Sequence, residues 1–305
     1  MNTPSYPVHE SPLDSQVIAP AVISASRRMY WSVRRELWES RSIYIAPLAA
    51  AALILAGFLI ATIGRALAVT NLAQRRAVLE ESSSFAALLI MGTTFIVAVF
   101  YCLDALHGER RDRSILFWKS LPVSDLTTVL SKASIPLVIL PLLTFAIIVA
   151  TQLIMLLLSS VVLLGSGLSV AALWTQLPLF QMSLMLLYHL VAIHALWYAP
   201  IYGWLLLVSG WARRAAFLWA LLPLLAIGIV EKIAFNTSHF AAMLGNRMGG
   251  GAEGADFAAS SVAMDPLTHL APGRFLSSPG LWIGLAFATA CLAAAVRLRR
   301  YREPI

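Results

Sequence analysis

Six stretches of this chain stay apolar long enough to cross a lipid bilayer, and this constrains the fold more than any other feature. They run over about 43–63, 85–106, 133–160, 181–209, 215–232 and 280–296. A helix needs roughly 20 predominantly apolar residues to span the hydrocarbon core. A chain that is 59% apolar and only 12% charged would, as a soluble domain, leave too much apolar surface facing water. The sequence therefore predicts an all-α polytopic membrane protein with six transmembrane helices. The third and fourth runs exceed the minimum and are expected to tilt, kink or extend into water. Pro136 and Pro141 fall in the third, Pro200 in the fourth and Pro223 in the fifth, each removing a backbone donor. The fifth run stops at Glu231-Lys232 and reads either as a short span or as a re-entrant pair with 233–244.

The net charge of +7 is set out as membrane topology requires, not as a nucleic-acid surface, so no nucleic-acid partner is expected. The basic residues gather at the ends of the apolar runs. On one side lie Arg27, Arg28, Arg34, Arg35 and Arg41, then Arg110, Arg111, Arg113, Lys119 and Lys132, then Arg213 and Arg214, and last Arg297, Arg299, Arg300 and Arg302. These are 16 of the 22 Lys and Arg residues. The excess predicts that both termini are cytoplasmic, in agreement with an even number of spans.

Residues 1–23 are proline-rich, carry no uninterrupted apolar stretch of signal-peptide length, and read as a disordered cytoplasmic tail. Residues 24–305 form the membrane domain. Its first part, Ser24 to Arg41, has the pattern of a surface helix. Met29, Tyr30, Val33 and Leu37 share one face, and Arg28, Arg35, Glu36 and Glu39 are assigned to the polar side. Trp31 and Trp38 stand seven residues apart among Arg27, Arg34 and Arg41, an interfacial arrangement in which the arginines reach for headgroups. On the other side of the membrane, the outer loop 233–279 contains Gly249-Gly250-Gly251 and is expected to be flexible.

Between the second and third runs lies a polar island, the loop 107–132. It is dense in arginine yet carries an apolar patch, Ile115-Leu116-Phe117-Trp118. A mere connector has no need of such a patch, so the loop reads as a docking element for a soluble partner. The aromatics are the expected anchors, with Glu109 and Arg111 toward the rim. Dipping into the headgroup layer is the plainer account of the patch. Asp104, about one turn from the interface, is expected to pair with Arg110 or Arg111.

No phosphate-binding loop, zinc-protease motif or nucleophile elbow is present, so no ATP hydrolysis is expected from this chain and no enzymatic chemistry is assigned to it. Cys102 and Cys291 fall in apolar runs and offer no disulfide framework or metal-thiolate spacing. Within the spans, Thr144, Gln152, His189 and His194 are the notable polar residues. Structurally they would bond to neighbouring helices; functionally they are the candidates for lining a substrate path. In an α-helix His189 and His194 stand about 140° apart and do not share a face.

The loop carries a resemblance. Tyr101-Cys102-Leu103-Asp104-Ala105-Leu106-His107-Gly108-Glu109-Arg110, continuing from Asp112 through Lys119-Ser120-Leu121-Pro122-Val123-Ser124 to Leu130-Ser131-Lys132, is similar to the permease subunits of ATP-binding-cassette exporters of the ABC-2 type. The resemblance covers about thirty residues. The six-span plan and the surface helix before span one fit the same family over most of the length, while the long Gly-rich outer loop departs from it. It implies a coupling helix within 109–120, comprising Glu109, Arg110, Arg111, Ser114, Ile115, Leu116, Phe117 and Trp118, that docks on a separate ATPase subunit. It implies that the 24–41 helix is the family's elbow helix and that two permease chains, identical or not, enclose the pathway. ATP and Mg would belong to the partner ATPase, with no cofactor on this chain, and the location would be a bacterial inner membrane.

Two other classes compete with a permease. One is a membrane redox or metal enzyme using His107, His189, His194, His239 and His269, against which their scatter over both sides of the membrane weighs. The other is an adaptor that only anchors a soluble partner. The orientation is tested by single cysteines at Ser24, Ser120, Ser260 and Pro304, labelled from outside in spheroplasts. Ser260→Cys is expected to react and Ser120→Cys to stay protected; the reverse pattern refutes cytoplasmic termini.

Overall fold

The computed structural model describes residues 24–65, 72–112, 114, 117, 123–165, 171, 174, 179–251 and 272–301. All regular structure among them is helical. Six helical segments are long and apolar enough to cross a membrane. The expected N-terminal tail 1–23 lies outside the described residues.

Helix α1 (Ala25–Glu39) precedes the first span and starts where Ser24 Oγ accepts the Arg27 amide at 3.4 Å. Ser40 ends it, and α2 (Ser42–Arg65) forms span one. Span two is α3 (Leu72–Ala105), which begins well before the apolar run. Its first turns carry Arg75, Arg76, Glu80 and Glu81. Good helix formers outside the bilayer lose nothing by staying helical, so the apolar run marks the membrane crossing and not the helix. A single turn, α4 (His107–Arg111), follows.

Span three is composite. It consists of α5 (Asp125–Ser134), a π-helical turn (Ile135–Ile139) and α6 (Leu140–Gly165). Ser124 Oγ caps α5 by accepting the Thr127 amide at 3.1 Å. Its 40-residue apolar segment, at about 1.5 Å per residue, is close to twice the bilayer thickness, so α5 extends beyond the membrane. Span four has the same construction: α7 (Leu179–His189), a π-helical segment (Leu190–Trp197) and α8 (Ala199–Trp211). The prolines of these spans coincide with the irregularities. Pro136 sits inside the first π turn, and Pro200 occupies the first turn of α8, where an amide proton is not needed.

Span five, α9 (Ala216–Phe235), continues past Glu231-Lys232 and is 20 residues long, enough to cross. Asn236 then turns the chain in the left-handed region (φ 51°), and α10 (His239–Met248) doubles back. Glu231 makes that hairpin. Its carboxylate accepts from Thr237 Oγ1 at 2.8 Å and from the amides of His239 at 2.7 Å and Phe240 at 2.8 Å, satisfying the open end of α10. A short turn α11 (Pro272–Leu276) leads into span six, α12 (Pro279–Tyr301).

The closest helix pair is α8 with α12. A Cβ at Gly203 would lie 3.1 Å from both Cα and O of Ala288, so any side chain there would press the two helix backbones apart by a few tenths of an ångström. Helix α3 lies between α8 on one side and α2 and α6 on the other, and α1 lies along α5. Helix α9 leans mainly on α8, through Trp204 Nε1 donating to Ala220 O at 3.1 Å and the Trp211–Trp219 edge contact at 4.8 Å.

The described part of the 233–279 loop is more ordered than its composition suggests. The end of α10 is fastened to span four: Trp197 Nε1 donates to Arg247 O at 3.1 Å, and Tyr198 Oη to Met248 O at 3.0 Å. The Arg247 guanidinium lies 4.3 Å from the Trp197 ring centroid and donates to Gly280 O at 3.0 Å. Gly251, at φ 66°, follows because a Cβ there would meet Trp197 Cζ2 at 2.6 Å. Residues 252–271 of this loop lie outside the described residues.

Substituting Gly203→Val forces α8 from α12 and is expected to cost about 1–3 kcal/mol, as overpacking does. A lower melting temperature of the detergent-solubilised protein checks this, with the more open Gly92→Ala as the tolerated control.

Candidate functional site

Where the ends of four helices meet on the strongly basic side of the bundle, the protein buries a set of charges. Glu36 of α1 and Lys132 of α5 are each only 2% exposed. Lys132 Nζ donates to both Glu36 oxygens at 3.0 Å. Tyr101 Oη, from the end of α3, donates to Glu36 Oε2 at 2.9 Å, and Arg35 Nη2 to Oε1 at 2.5 Å.

Glu109 of α4 is the second hub. Its Oε1 lies 3.1 Å from Lys132 Nζ and accepts from Arg35 Nη2 at 3.1 Å, while Oε2 accepts from Arg299 Nη1 of α12. Arg299 Nε then reaches Asp125 Oδ1 at 3.2 Å. Three cations, Arg35, Lys132 and Arg299, thus face three carboxylates, Glu36, Glu109 and Asp125. Burial works against the Arg35 charge, but the surrounding carboxylates outweigh it and hold its pKa above the ordinary guanidinium value. At the rim, Glu39 lies 3.6 Å from Arg35, and partial burial raises its carboxyl above the usual range.

A second set of bonds fixes α4 to the end of α8. Ser209 Oγ accepts the amides of Leu106 at 3.0 Å and His107 at 2.9 Å. Arg110 Nη1 donates to the carbonyls of Gly210 at 2.9 Å and Ala212 at 3.3 Å, the open acceptors at a helix C-terminus where a cation is favoured.

Several expectations are corrected here. Glu109 is no rim residue: it is buried, as is its neighbour Arg110. Glu36, assigned to the polar side of α1, is the most buried residue of that helix, because the face that meets α5 and α3 is ionic as well as apolar. Arg111 forms an ion pair with exposed Asp112 at 3.1 Å, and the Asp104 charge adds to the attraction. The remaining loop residues divide. Ser114 Oγ donates to Glu109 O at 3.4 Å, and Phe117 is 60% exposed. Ile115, Leu116 and Trp118 lie outside the described residues.

The intramembrane candidates are only partly brought together. His189 and His194 approach to 6.2 Å between ring centroids, against the expectation of separate faces. The reason is the π winding, in which Tyr198 N bonds back to Ile193 O, five residues earlier. Its wider turn moves positions five apart into near alignment. His194 also meets the edge of Tyr198 at 5.5 Å, and Tyr198 tilts against Phe95 of α3 at 4.9 Å. Thr144 Oγ1 donates to Thr94 Oγ1 at 2.9 Å, tying α6 to α3. Gln152 is half-buried, about two turns farther along α6. Among the described residues no three His, Cys, Asp or Glu side chains converge as metal ligands would.

The arrangement holds the ends of α1, α4, α5 and α12 together, with its carboxylates committed to cations. Lys132 is legible as a loop residue from sequence, but its partners are not. The signal was faint: a lone lysine at the start of an apolar run, whose partner Glu36 is 96 residues away. No family model, curated protein or solved structure matches this chain.

Removing one member of a buried ion pair typically costs about 3–5 kcal/mol, because the other is left uncompensated. Lys132→Met takes the cation that Glu36 and Glu109 share, leaving Glu36 to Arg35 and Tyr101 and Glu109 to Arg35 and Arg299, and is expected to lower thermal stability. The double variant Glu36→Gln/Lys132→Met should recover part of the loss. Melting curves of wild type, both single variants and the double variant measure this coupling; strict additivity refutes it.

Proposed function

We propose that this chain is the membrane-spanning permease subunit of an ATP-driven exporter of the ABC-2 type. In this reading it moves a hydrophobic or amphipathic substrate by alternating access, a second permease chain completes the pathway, and a separate ATPase subunit hydrolyses ATP with Mg. The membrane is a bacterial inner membrane with both termini in the cytoplasm.

One observation carries the reading. The loop between α4 and α5 has both ends tied into the buried charges, through Glu109 at its start and Asp125 and Lys132 at its end. Between those anchors Phe117 projects 60% exposed. An exposed aromatic side chain is suited to docking on a soluble partner. A displacement that reaches Glu109 or Asp125 would pass to α1 and α12 through short ionic contacts. For ATP to bias the cycle, these contacts must differ between the two end states.

Buried aromatic anchors commonly contribute about 2 kcal/mol or more to an interface, so their truncation weakens association by roughly thirtyfold. Phe117→Ala or Trp118→Ala is therefore expected to release the ATPase, or to uncouple hydrolysis from transport, with membrane insertion intact. Co-purification of the ATPase and transport are measured together. The purified chain alone is expected to show no ATP hydrolysis. An unchanged complex and unchanged transport after truncation of both aromatics refute the coupling role.

The near alignment of His189 and His194 favours the rival redox or metal enzyme enough to merit its own check. Metal analysis and an absorbance spectrum of the purified protein decide it: a stoichiometric metal or chromophore supports the enzyme and counts against the permease.

A further inference from the structure

Helix α1 is committed on one side only. Val33 and Leu37 pack against the core, and Glu36 is buried among the charges described above. A different stripe of the same helix repeats at intervals of four and three residues: Arg27, Trp31, Arg34, Trp38. Its tryptophans are 52% and 70% exposed. The Arg34 guanidinium stands between them, 5.1 Å from each ring centroid. Arg27, Arg28, Arg34 and Arg41 form no ion pair among the described residues, whereas Arg35 is taken up by Glu36, Glu39 and Glu109.

We infer that this stripe is a binding site for the headgroup of an anionic phospholipid, with Arg34 as its principal phosphate ligand. The two indole rings engage the guanidinium by cation–π attraction and fix its orientation. Its N–H donors remain in the guanidinium plane, a fork that matches a phosphate bidentately. The indoles supply the second half of the recognition. Tryptophan settles at the headgroup level, where an apolar ring body meets acyl chains and a polar edge meets water. A soluble anion or an acidic protein surface would make no use of two exposed indoles beside the arginine; a lipid uses both. The inference rests on the membrane-spanning fold and is independent of any ATPase partner.

The full chain in detergent is tested by native mass spectrometry with phosphatidylglycerol and phosphatidylcholine. Wild type is expected to retain phosphatidylglycerol preferentially. A hydrogen bond to a charged group contributes about 1.5 kcal/mol or more, or about tenfold, beyond diffuse charge. Arg34→Ala should therefore lower phosphatidylglycerol retention about tenfold or more, and Arg34→Lys, which keeps the charge but loses the fork, should fall between. Arg300→Ala removes an exposed charge from the same side of the bundle and should change little. Melting temperatures identify any variant that is misfolded, and Trp38→Phe, which leaves the arginine in place, gives a second route to weakened retention. Equal losses in Arg34→Ala and Arg300→Ala would reduce the effect to diffuse charge and overturn the site. Displacement of the lipid by inorganic phosphate would overturn its assignment to a phospholipid.

Discussion

Lys132 and the two carboxylates it joins hold together elements that apolar packing alone would leave free to slide. In a membrane the hydrophobic effect places helices in the bilayer but gives them little reason to choose one neighbour over another, since lipid is as apolar as a leucine side chain. Specific directional contacts must do the choosing. Glu36, Glu109 and Lys132 choose for α1, α4 and α5 at once, and Arg299 brings in α12. A buried ion cluster is seldom the most stabilising way to fill a volume, because desolvation offsets much of the attraction. Its value is in the penalty for a wrong arrangement: any register that separates these groups strands a charge away from water.

The same logic explains why the two sides of the bundle are fastened differently. The basic side uses ion pairs between helix ends far apart in sequence. The opposite side uses the end of α10, whose terminal carbonyls accept from Trp197 and Tyr198, with Arg247 laid over the Trp197 ring. The first fastening is charged and balanced; the second depends on a single cation, an aromatic face and small residues at Gly251 and Gly280.

The crossings were legible because a run of some twenty apolar residues has few other fates, and α1 was legible from its periodicity. What periodicity could not tell is whether a polar stripe faces water or a charged partner. Glu36 reads as a solvent-facing acid until Lys132, 96 residues later, is placed against it. Glu109 was misassigned for the same reason, its partner Arg299 lying 190 residues on. Pairings of this kind belong to the tertiary structure and leave no local mark. The early start of α3 was missed because apolarity marks the bilayer and not the helix. α-helical winding would set His189 and His194 on separate faces, but the chain from Leu190 to Trp197 is π-helical.

That departure from regular winding has a consequence for how span four tolerates change in length. A π segment accommodates an additional residue within a helix whose two flanks keep ordinary winding. Removing one residue between Leu190 and Trp197 would let the segment relax to α-helical pitch without breaking the span. The flanks would then no longer share their present phase: either α8 keeps Gly203 against Ala288 and α7 rotates, or the reverse. The irregular segment therefore works as a phase shifter, letting one continuous crossing present its two halves to different neighbours. A shorter relative lacking the extra residue would have to rebuild one half of those contacts.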